Sequence, residues 1–245
     1  MSKNQPIQSK KAAELAKKKQ AQNKMIYQLV FGVLAVVLVF ALITLCLTQC
    51  NQTPNVDFGS IAGYTDSDTT TDYVRMNITW TDKSGNAQKG SVIVQLRPDV
   101  APLTVANFQK LVSQKFYDGL TFHRVIEGFM IQGGCPNGNG SGNAGSYITG
   151  EFSSNGIPNS LSHSRGVISM ARGEENDSAS CQFFIMHEDN TALDGNYAAF
   201  GHVAHGMDTV DAIAKIQKTY NARGELADPV HDVIIHSMTF VNKVG

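Results

Sequence analysis

The sequence predicts a mainly β domain, an antiparallel barrel or sandwich with two helices at its ends, preceded by a single transmembrane helix. After residue 73, about seven or eight short runs rich in β-branched and aromatic residues follow one another, and only two segments have helical spacing. Before it, residues 26–47 contain no charged residue. These observations divide the chain into a basic cytoplasmic tail (1–25), a transmembrane helix (26–47), a flexible polar linker (48–72) and a folded domain (73–245).

The predicted transmembrane segment is long enough to span a bilayer. A helix over residues 26–47 would rise about 33 Å, and the hydrocarbon core of a bilayer is about 30 Å thick. Residues 1–25 carry seven Lys and one Glu, a net charge of +6, so the positive-inside rule keeps the tail in the cytoplasm and puts the folded domain outside.

Two alternatives to an anchor stay open, a cleaved signal peptide and a lipid-modified Cys50. Signal peptides have short charged leaders and apolar cores of roughly 7–15 residues, whereas the leader here covers residues 1–25. Gln49, directly before Cys50, fits a lipoprotein cleavage box poorly because that position normally holds a small residue. We therefore favour an uncleaved signal-anchor.

Composition argues against nucleic acid as a partner. Beyond residue 25 the chain has 13 basic and 20 acidic residues, a net charge of −7, and nucleic-acid binding needs clustered basic charge. No cofactor or metal is predicted. Residues 140–145 match the dinucleotide pattern GxGxxG, but the following residues 146–149 do not begin a helix. A disulfide between Cys135 and Cys181 is left open.

The elements of the folded domain follow from spacing and turn residues. Two strands are joined by the turn 82–86, and a helix that begins at 99–102 has Pro102 in its first turn. The later elements are three more strands, a helix marked by Val210, Ile213 and Ile216, and a closing strand. The predicted strands outside the central stretch are 73–80, 91–96, 166–171, 182–186, 197–203 and 233–240.

The central stretch is 122–134, Phe-His-Arg-Val-Ile-Glu-Gly-Phe-Met-Ile-Gln-Gly-Gly. In a regular strand, alternation would send Phe122 and Arg124 to one face and His123 and Val125 to the other. Arg124 would then lie beside an apolar patch that includes Phe129. Such a surface suits an extended peptide with an apolar side chain, and the stretch contains no obvious nucleophile.

This stretch resembles the signature of the cyclophilin-type peptidyl-prolyl cis-trans isomerases, and the bacterial members in particular. Three further blocks agree in order and spacing, and the similarity covers roughly residues 73–245. The blocks are 166–171 (GVISMA), 180–185 (SCQFFI), and 193–195 (LDG) followed by 200–203 (FGHV). The resemblance implies an eight-stranded antiparallel barrel capped by two helices, with isomerase (rotamase) activity that needs no cofactor.

The resemblance also implies a set of site residues. Arg124 matches the catalytic arginine, and Phe129, Met130, Phe184 and Leu193 match the pocket for the substrate proline ring. Gln132 and Gln182, with the backbone at Ala171 and Arg172, match the groove that holds the peptide main chain. Phe122 and Tyr197 complete the predicted substrate-binding set.

Three positions depart from the best-known members of that family. Tyr197 replaces a pocket histidine and keeps an aromatic wall with a polar tip, so activity is expected to survive. Arg172 replaces an asparagine. Ala192 replaces a tryptophan that is important for cyclosporin, so weak cyclosporin binding is expected.

The functional expectation is an isomerase that accelerates the folding of exported, proline-containing polypeptides at the outer face of a cell membrane, which we expect to be the plasma membrane of a bacterium. The alternative is a tethered chaperone module that binds extended peptides with little dependence on catalysis. A third hypothesis is that the anchor recruits the domain to a membrane complex and that isomerase activity is incidental.

Overall fold

The computed structural model describes residues 56–244 and, ahead of them, Gly32 alone. The basic tail predicted over 1–25 and, apart from Gly32, the transmembrane helix predicted over 26–47 lie outside the described residues. Within 56–244, no helix is long and apolar enough to cross a membrane. The compact unit begins at Val56, so residues 56–72 of the predicted linker are part of it.

The described chain contains eleven strands, two α-helices and two short 3₁₀ turns, at Ser153–Asn155 and Thr191–Leu193. The helices are α1 (Pro102–Ser113) and α2 (Met207–Ala214). The strands are β1 (Tyr64–Asp66), β2 (Tyr73–Thr81), β3 (Ala87–Leu96), β4 (Phe122–Ile126), β5 (Met130–Gly133), β6 (Val167–Met170), β7 (Phe183–Met186), β8 (Ala199–His205), β9 (Lys218–Tyr220), β10 (Leu226–Pro229) and β11 (Ile234–Lys243).

Nine of these strands form one antiparallel sheet in the order β1-β11-β2-β3-β8-β6-β7-β5-β4, and β9 and β10 form a separate hairpin. The chain just before β4 returns to β11. The Phe122 N–H donates to the Val233 carbonyl at 2.9 Å, and the Ile235 N–H donates to the Leu120 carbonyl at 2.8 Å. These bonds join β4 to β11 and curl the sheet into a barrel.

The predicted count of eight strands is wrong, because the sheet has nine. The additional strand is β1, which lies in the stretch predicted as a flexible linker. It pairs with the end of β11, with Tyr64 opposite Lys243. Its three residues have no apolar alternation and are mostly exposed, so only backbone hydrogen bonding to a distant strand could reveal it.

The barrel interior is filled by alternate side chains of the strands and by one face of α1. In β2, Val74, Met76 and Ile78 are fully buried, as the period of two in a half-buried strand requires. The buried face of α1 includes Val105, Phe108, Leu111 and Val112, which confirms the helix predicted from their spacing. The Phe108 ring lies 5.2 Å from that of Phe200 and 5.7 Å from that of Phe183, centroid to centroid.

A buried carboxylate ties the long loop between β5 and β6 to the first turn of α1. Glu151 is 2% exposed and accepts bonds from the Leu103 N–H (3.0 Å) and from the N–H and hydroxyl of Thr104 (both 2.7 Å). No side chain caps α1 from its own N-cap position. Glu151 therefore satisfies the free N–H groups of the helix and fixes the loop that borders the site.

Replacing Phe108 with alanine should lower the free energy of unfolding by about 3–5 kcal/mol, because the cavity would open at the centre of the aromatic cluster. The control is Leu103→Ala on the same helix. Leu103 is 52% exposed, and its truncation should change stability by less than about 0.5 kcal/mol. Urea denaturation measures both, and equal losses would contradict this account of the core.

Candidate active site

Arg124 lies on β4, where an irregularity in pairing decides which side chains face outward. Phe122 is opposite Gly133 and Arg124 is opposite Gln132, with a register shift between the two pairs. Phe122 and Val125 are both fully buried, whereas the Arg124 side chain is 20% exposed. The simple alternation predicted for this strand is therefore wrong. The Phe122 ring packs in the core, and Arg124 faces outward.

Cross-strand register lines up the central residues of the site. Arg124 is opposite Gln132, Gln132 is opposite Phe184, and Phe184 is opposite Ser169. Directly opposed residues of an antiparallel pair point to the same side of the sheet. A cation, an amide and an aromatic ring therefore follow one another along a row on the outer face of the barrel.

The residues predicted to hold a proline ring form one apolar cluster on this outer face. Met130 and Phe184 are almost fully buried in it, and Phe129, Leu193 and Tyr197 pack against them. The Phe184 and Tyr197 rings meet edge to face, with centroids 5.7 Å apart and planes at 86°. This edge-to-face contact gives the pocket a rigid aromatic wall.

The polar edge of the site is built around two glutamines. Gln132 Nε2 donates to Gln182 Oε1 at 3.1 Å. Gln182 Nε2 donates to the carbonyls of Gly140 and Gly142 at 2.8 and 2.9 Å, which ties the glycine-rich loop to the strands. Gly134 has φ +81°, and a Cβ there would lie 2.7 Å from the Cys181 carbonyl oxygen. Only glycine fits at this turn into the loop.

The Arg172 side chain contacts its own loop and the segment before β8. Its Nε donates to the Asn196 carbonyl at 2.9 Å, and its Nη1 donates to the carbonyls of Gly173 and Glu174. The guanidinium lies 5.2 Å from the centroid of the Tyr197 ring. Arg172 thus braces the pocket wall, while the Ala171 backbone beside it bonds the Gln182 carbonyl through its N–H.

The predicted site residues all border one groove with a volume of about 850 Å³. The residues concerned are Phe122, Arg124, Phe129, Met130, Gln132, Ala171, Arg172, Gln182, Phe184, Leu193 and Tyr197. Sequence reasoning missed two further parts of the lining of this groove. One is the loop 138–143 with Tyr147, and the other is the turn 221–223 with Asp228 and Asp232.

The most important missed residue is Glu225, next to the turn of the β9–β10 hairpin. Its carboxylate accepts two bonds from Arg124, from Nε to Oε2 at 3.0 Å and from Nη2 to Oε1 at 2.7 Å. Hydrogen bonds from Arg124 and then from Asn221 lower the pKa of the Glu225 carboxyl to about 2. The Glu225 carboxyl is therefore ionised across the neutral range. The asparagine and glycine within 221–225 could have predicted a turn. They could not have predicted that the turn brings Glu225 to Arg124.

A serine, a histidine and an aspartate also meet beneath the pocket. His163 Nδ1 lies 2.7 Å from Asp194 Oδ1, and His163 Nε2 lies 3.0 Å from Ser169 Oγ. Ser169 and His163 are both fully buried, so no substrate reaches the serine. This network packs against Phe184, whose ring is stacked 6.0 Å from that of His163, and its role here is structural.

The disulfide left open between Cys135 and Cys181 is not formed in the structure, where both are buried, free thiols.

Comparison with known proteins identifies the family. The model of the family described as cyclophilin type peptidyl-prolyl cis-trans isomerase/CLD matches residues 79–240. The chain belongs to the cyclophilin-type peptidyl-prolyl cis-trans isomerases. Peptidyl-prolyl cis-trans isomerase B of Bacillus subtilis is 48% identical over 114 residues, 46% of this chain and 76% of that protein. Peptidyl-prolyl cis-trans isomerase A of Dickeya dadantii is 39% identical over 159 residues, 63% of this chain and 81% of that protein.

Solved cyclophilins have the same fold. The crystal structure of a cyclophilin-type isomerase of Cryptosporidium parvum, obtained in the presence of the dipeptide Ala-Pro, has 26% sequence identity and a TM-score of 0.57. The match covers 69% of this chain and 98% of that one. The predicted family and enzyme class are confirmed, and this cyclophilin is an isomerase of prolyl peptide bonds.

Two histidines of this cyclophilin should make its stability depend on pH. Burial, reinforced by the charge of Arg124, lowers the pKa of His123, and burial lowers the pKa of His163. As the pH falls, the unfolded chain therefore protonates these two histidines at a higher pH than the folded chain does. The free energy of unfolding should be highest above about pH 6.5 and fall as the pH drops towards about 5.

Urea denaturation at a series of pH values measures this slope, and a His123→Asn variant should show a smaller one. Proton NMR titration tests the cause directly. A His163 resonance that titrates at or above about pH 6.5 would contradict the assignment.

Proposed function

We propose that this cyclophilin isomerises X–Pro bonds in extended segments of unfolded polypeptides, with Arg124 stabilising the twisted prolyl amide. The observation that carries the proposal is the position of Arg124 Nη1. It lies 3.5 Å from Gln132 Oε1 and 4.0 Å from Met130 Sδ, both of which border the groove. A cation at this point adjoins both the apolar pocket and the polar edge.

The chemistry needs a placed charge rather than a nucleophile. Rotation about a peptide bond meets a barrier of about 18–20 kcal/mol because the amide loses resonance as it twists. In the twisted state the nitrogen lone pair is localised and the carbonyl oxygen is displaced. A guanidinium aimed at either atom interacts better with that state than with the planar amide, which lowers the barrier.

The remaining residues of the groove hold the two sides of the bond differently. The ring of the substrate proline is gripped by the cluster of Phe129, Met130, Phe184 and Leu193, while Gln132 and Gln182 bind the peptide main chain. One side of the amide is then fixed as the other rotates. The dipeptide present in the Cryptosporidium parvum crystal contains the same X–Pro unit.

Replacing Arg124 with alanine should lower kcat/KM on a proline-containing tetrapeptide at least about tenfold, because the transition state loses its placed charge. The matched control is Arg97→Ala, which removes an arginine paired with Asp99 away from the groove. Circular dichroism should show that both variants fold. Turnover of Arg124→Ala equal to that of the control would contradict the mechanism.

The same variant separates catalysis from peptide holding. An isomerase that limits folding should lose its rescue of a slowly refolding, proline-limited protein when Arg124 is replaced. Full rescue by Arg124→Ala would instead support the tethered chaperone module, which binds extended peptides without depending on the guanidinium.

We further propose that the enzyme works at the outer face of a cell membrane, on polypeptides that have just been exported. This rests on the sequence before the domain, where 22 uncharged residues (26–47) follow a tail with a net charge of +6. The cyclophilin would be held there as a single-pass protein with a cytoplasmic N-terminus. Because Ala192 stands where the best-known members of the family have a tryptophan, cyclosporin should bind weakly.

Protease added to intact cells that express the full chain should digest the cyclophilin domain, and mass analysis should find an intact N-terminus. A cytoplasmic protein of the same cells is the control and should survive. Protection of the domain would contradict the topology. A mature chain beginning at a lipid-modified Cys50 would replace the helical anchor.

A further inference from the structure

The β9–β10 hairpin lies outside the main sheet, and its turn is braced from within. The Asn221 N–H donates to the Glu225 carbonyl at 2.9 Å, and the Gly224 N–H donates to the Asn221 carbonyl at 3.0 Å. The Asn221 side chain accepts from the N–H groups of Arg223 and Glu225 at 2.9 and 3.0 Å. The backbone that carries Glu225 is thus held in one conformation.

The Glu225 carboxylate is held as firmly as its backbone. Asn221 Nδ2 donates to Glu225 Oε2 at 2.9 Å, and the same oxygen accepts the Nε–H of Arg124 at 3.0 Å. The second oxygen accepts from Arg124 Nη2 at 2.7 Å. Two parallel bonds to a planar guanidinium fix its position and also its rotation.

The part of the guanidinium that Glu225 does not bind adjoins residues of the groove. Glu225 occupies the edge formed by Nε and Nη2, which leaves Nη1 next to Gln132 and Met130. Both of these residues border the groove, whereas Glu225 does not. The carboxylate therefore binds Nε and Nη2 of Arg124 from outside the groove. It leaves the N–H groups of Nη1 for a substrate.

We propose that Glu225 is a positioning residue of the isomerase, which clamps Arg124 so that Nη1 points into the groove before substrate arrives. The inference rests on the proposed role of Arg124. An arginine side chain has several rotatable bonds, and donors that are already oriented stabilise a transition state better than donors that must be ordered during the reaction. Asn221 supports the clamp through both the turn and the carboxylate.

An opposite effect of Glu225 has to be weighed. A carboxylate so close to Arg124 reduces the positive potential at the groove, so its removal would speed turnover if potential alone mattered. The geometry favours the clamp, because the carboxylate binds the edge formed by Nε and Nη2 and makes no bond to Nη1, which has only long contacts to Gln132 and Met130 at 3.5 and 4.0 Å. The two effects predict changes of opposite sign, which makes them separable by experiment.

The test is Glu225→Gln, which keeps the size of the side chain and removes its charge. We expect kcat to fall about tenfold and KM to stay within about twofold, since the orientation of Arg124 matters most in the twisted state. The matched control is Asp99→Asn. It removes another bidentate carboxylate partner of an arginine, with bonds of 2.8 and 2.6 Å to Arg97, and should leave both constants unchanged.

Two further measurements distinguish a clamp from general damage. In an Arg124→Ala background, Glu225→Gln should have no additional effect on kcat, because the clamp has nothing left to hold. NMR should show a slowly exchanging Arg124 Nε–H signal in the wild type that is lost in Glu225→Gln. The ion pair is partly exposed, at 20% for Arg124 and 34% for Glu225, so the variant should still fold.

Unchanged or faster turnover in Glu225→Gln would overturn the inference, as would an Nε–H signal that survives the substitution. If Arg124→Ala is slow in the same assay, the role of Arg124 stands and only the clamp fails. If Arg124→Ala turns over at the wild-type rate, the proposed mechanism fails and the inference falls with it.

Discussion

The site depends on one constraint, the register of the strands β4, β5, β7 and β6. Arg124, Gln132, Phe184 and Ser169 stand opposite one another in that order. Neighbouring strands lie about 4.8 Å apart, so the backbones carrying the cation and the aromatic wall are separated by about 10 Å. A one-residue slip of β7 would send Phe184 into the barrel and bring Phe183 out. The interior packing of Phe183 against Phe108 and Tyr117 opposes such a slip.

Much of this arrangement could be predicted because it leaves local traces in the sequence. The apolar spacing of α1 and the runs of β-branched and aromatic residues around 73–80 and 182–186 indicate which side chains are buried, and each pattern can be seen within a few neighbouring residues. The resemblance to cyclophilins supplied the pocket residues, since Phe129 and Phe184 come together only through the pairing of β5 with β7. Neither composition nor periodicity could have joined them.

What could not be predicted depends on contacts that are distant in the chain and leave no periodic pattern. β1 is a short, polar strand that pairs with the end of β11, 179 residues later at Tyr64 and Lys243. The irregularity in β4 shifts alternation between Phe122 and Arg124 without a proline or glycine to mark it. Glu225 reaches Arg124 across 101 residues. Each of these features is set by tertiary packing, which overrides local propensity.

The location of Glu225 separates the stability of the fold from the orientation of Arg124, the cation that we propose to be catalytic. Arg124 is carried by a strand of the barrel, but its guanidinium is bound by Glu225, whose hairpin is not part of the main sheet. A partly exposed ion pair contributes little to folding, so the turn 221–225 can vary in length or sequence without unfolding the barrel. Such variation would still change the direction in which Nη1 points. With the proposed roles of Arg124 and Glu225, the hairpin is the part of this cyclophilin in which turnover can be adjusted independently of the core.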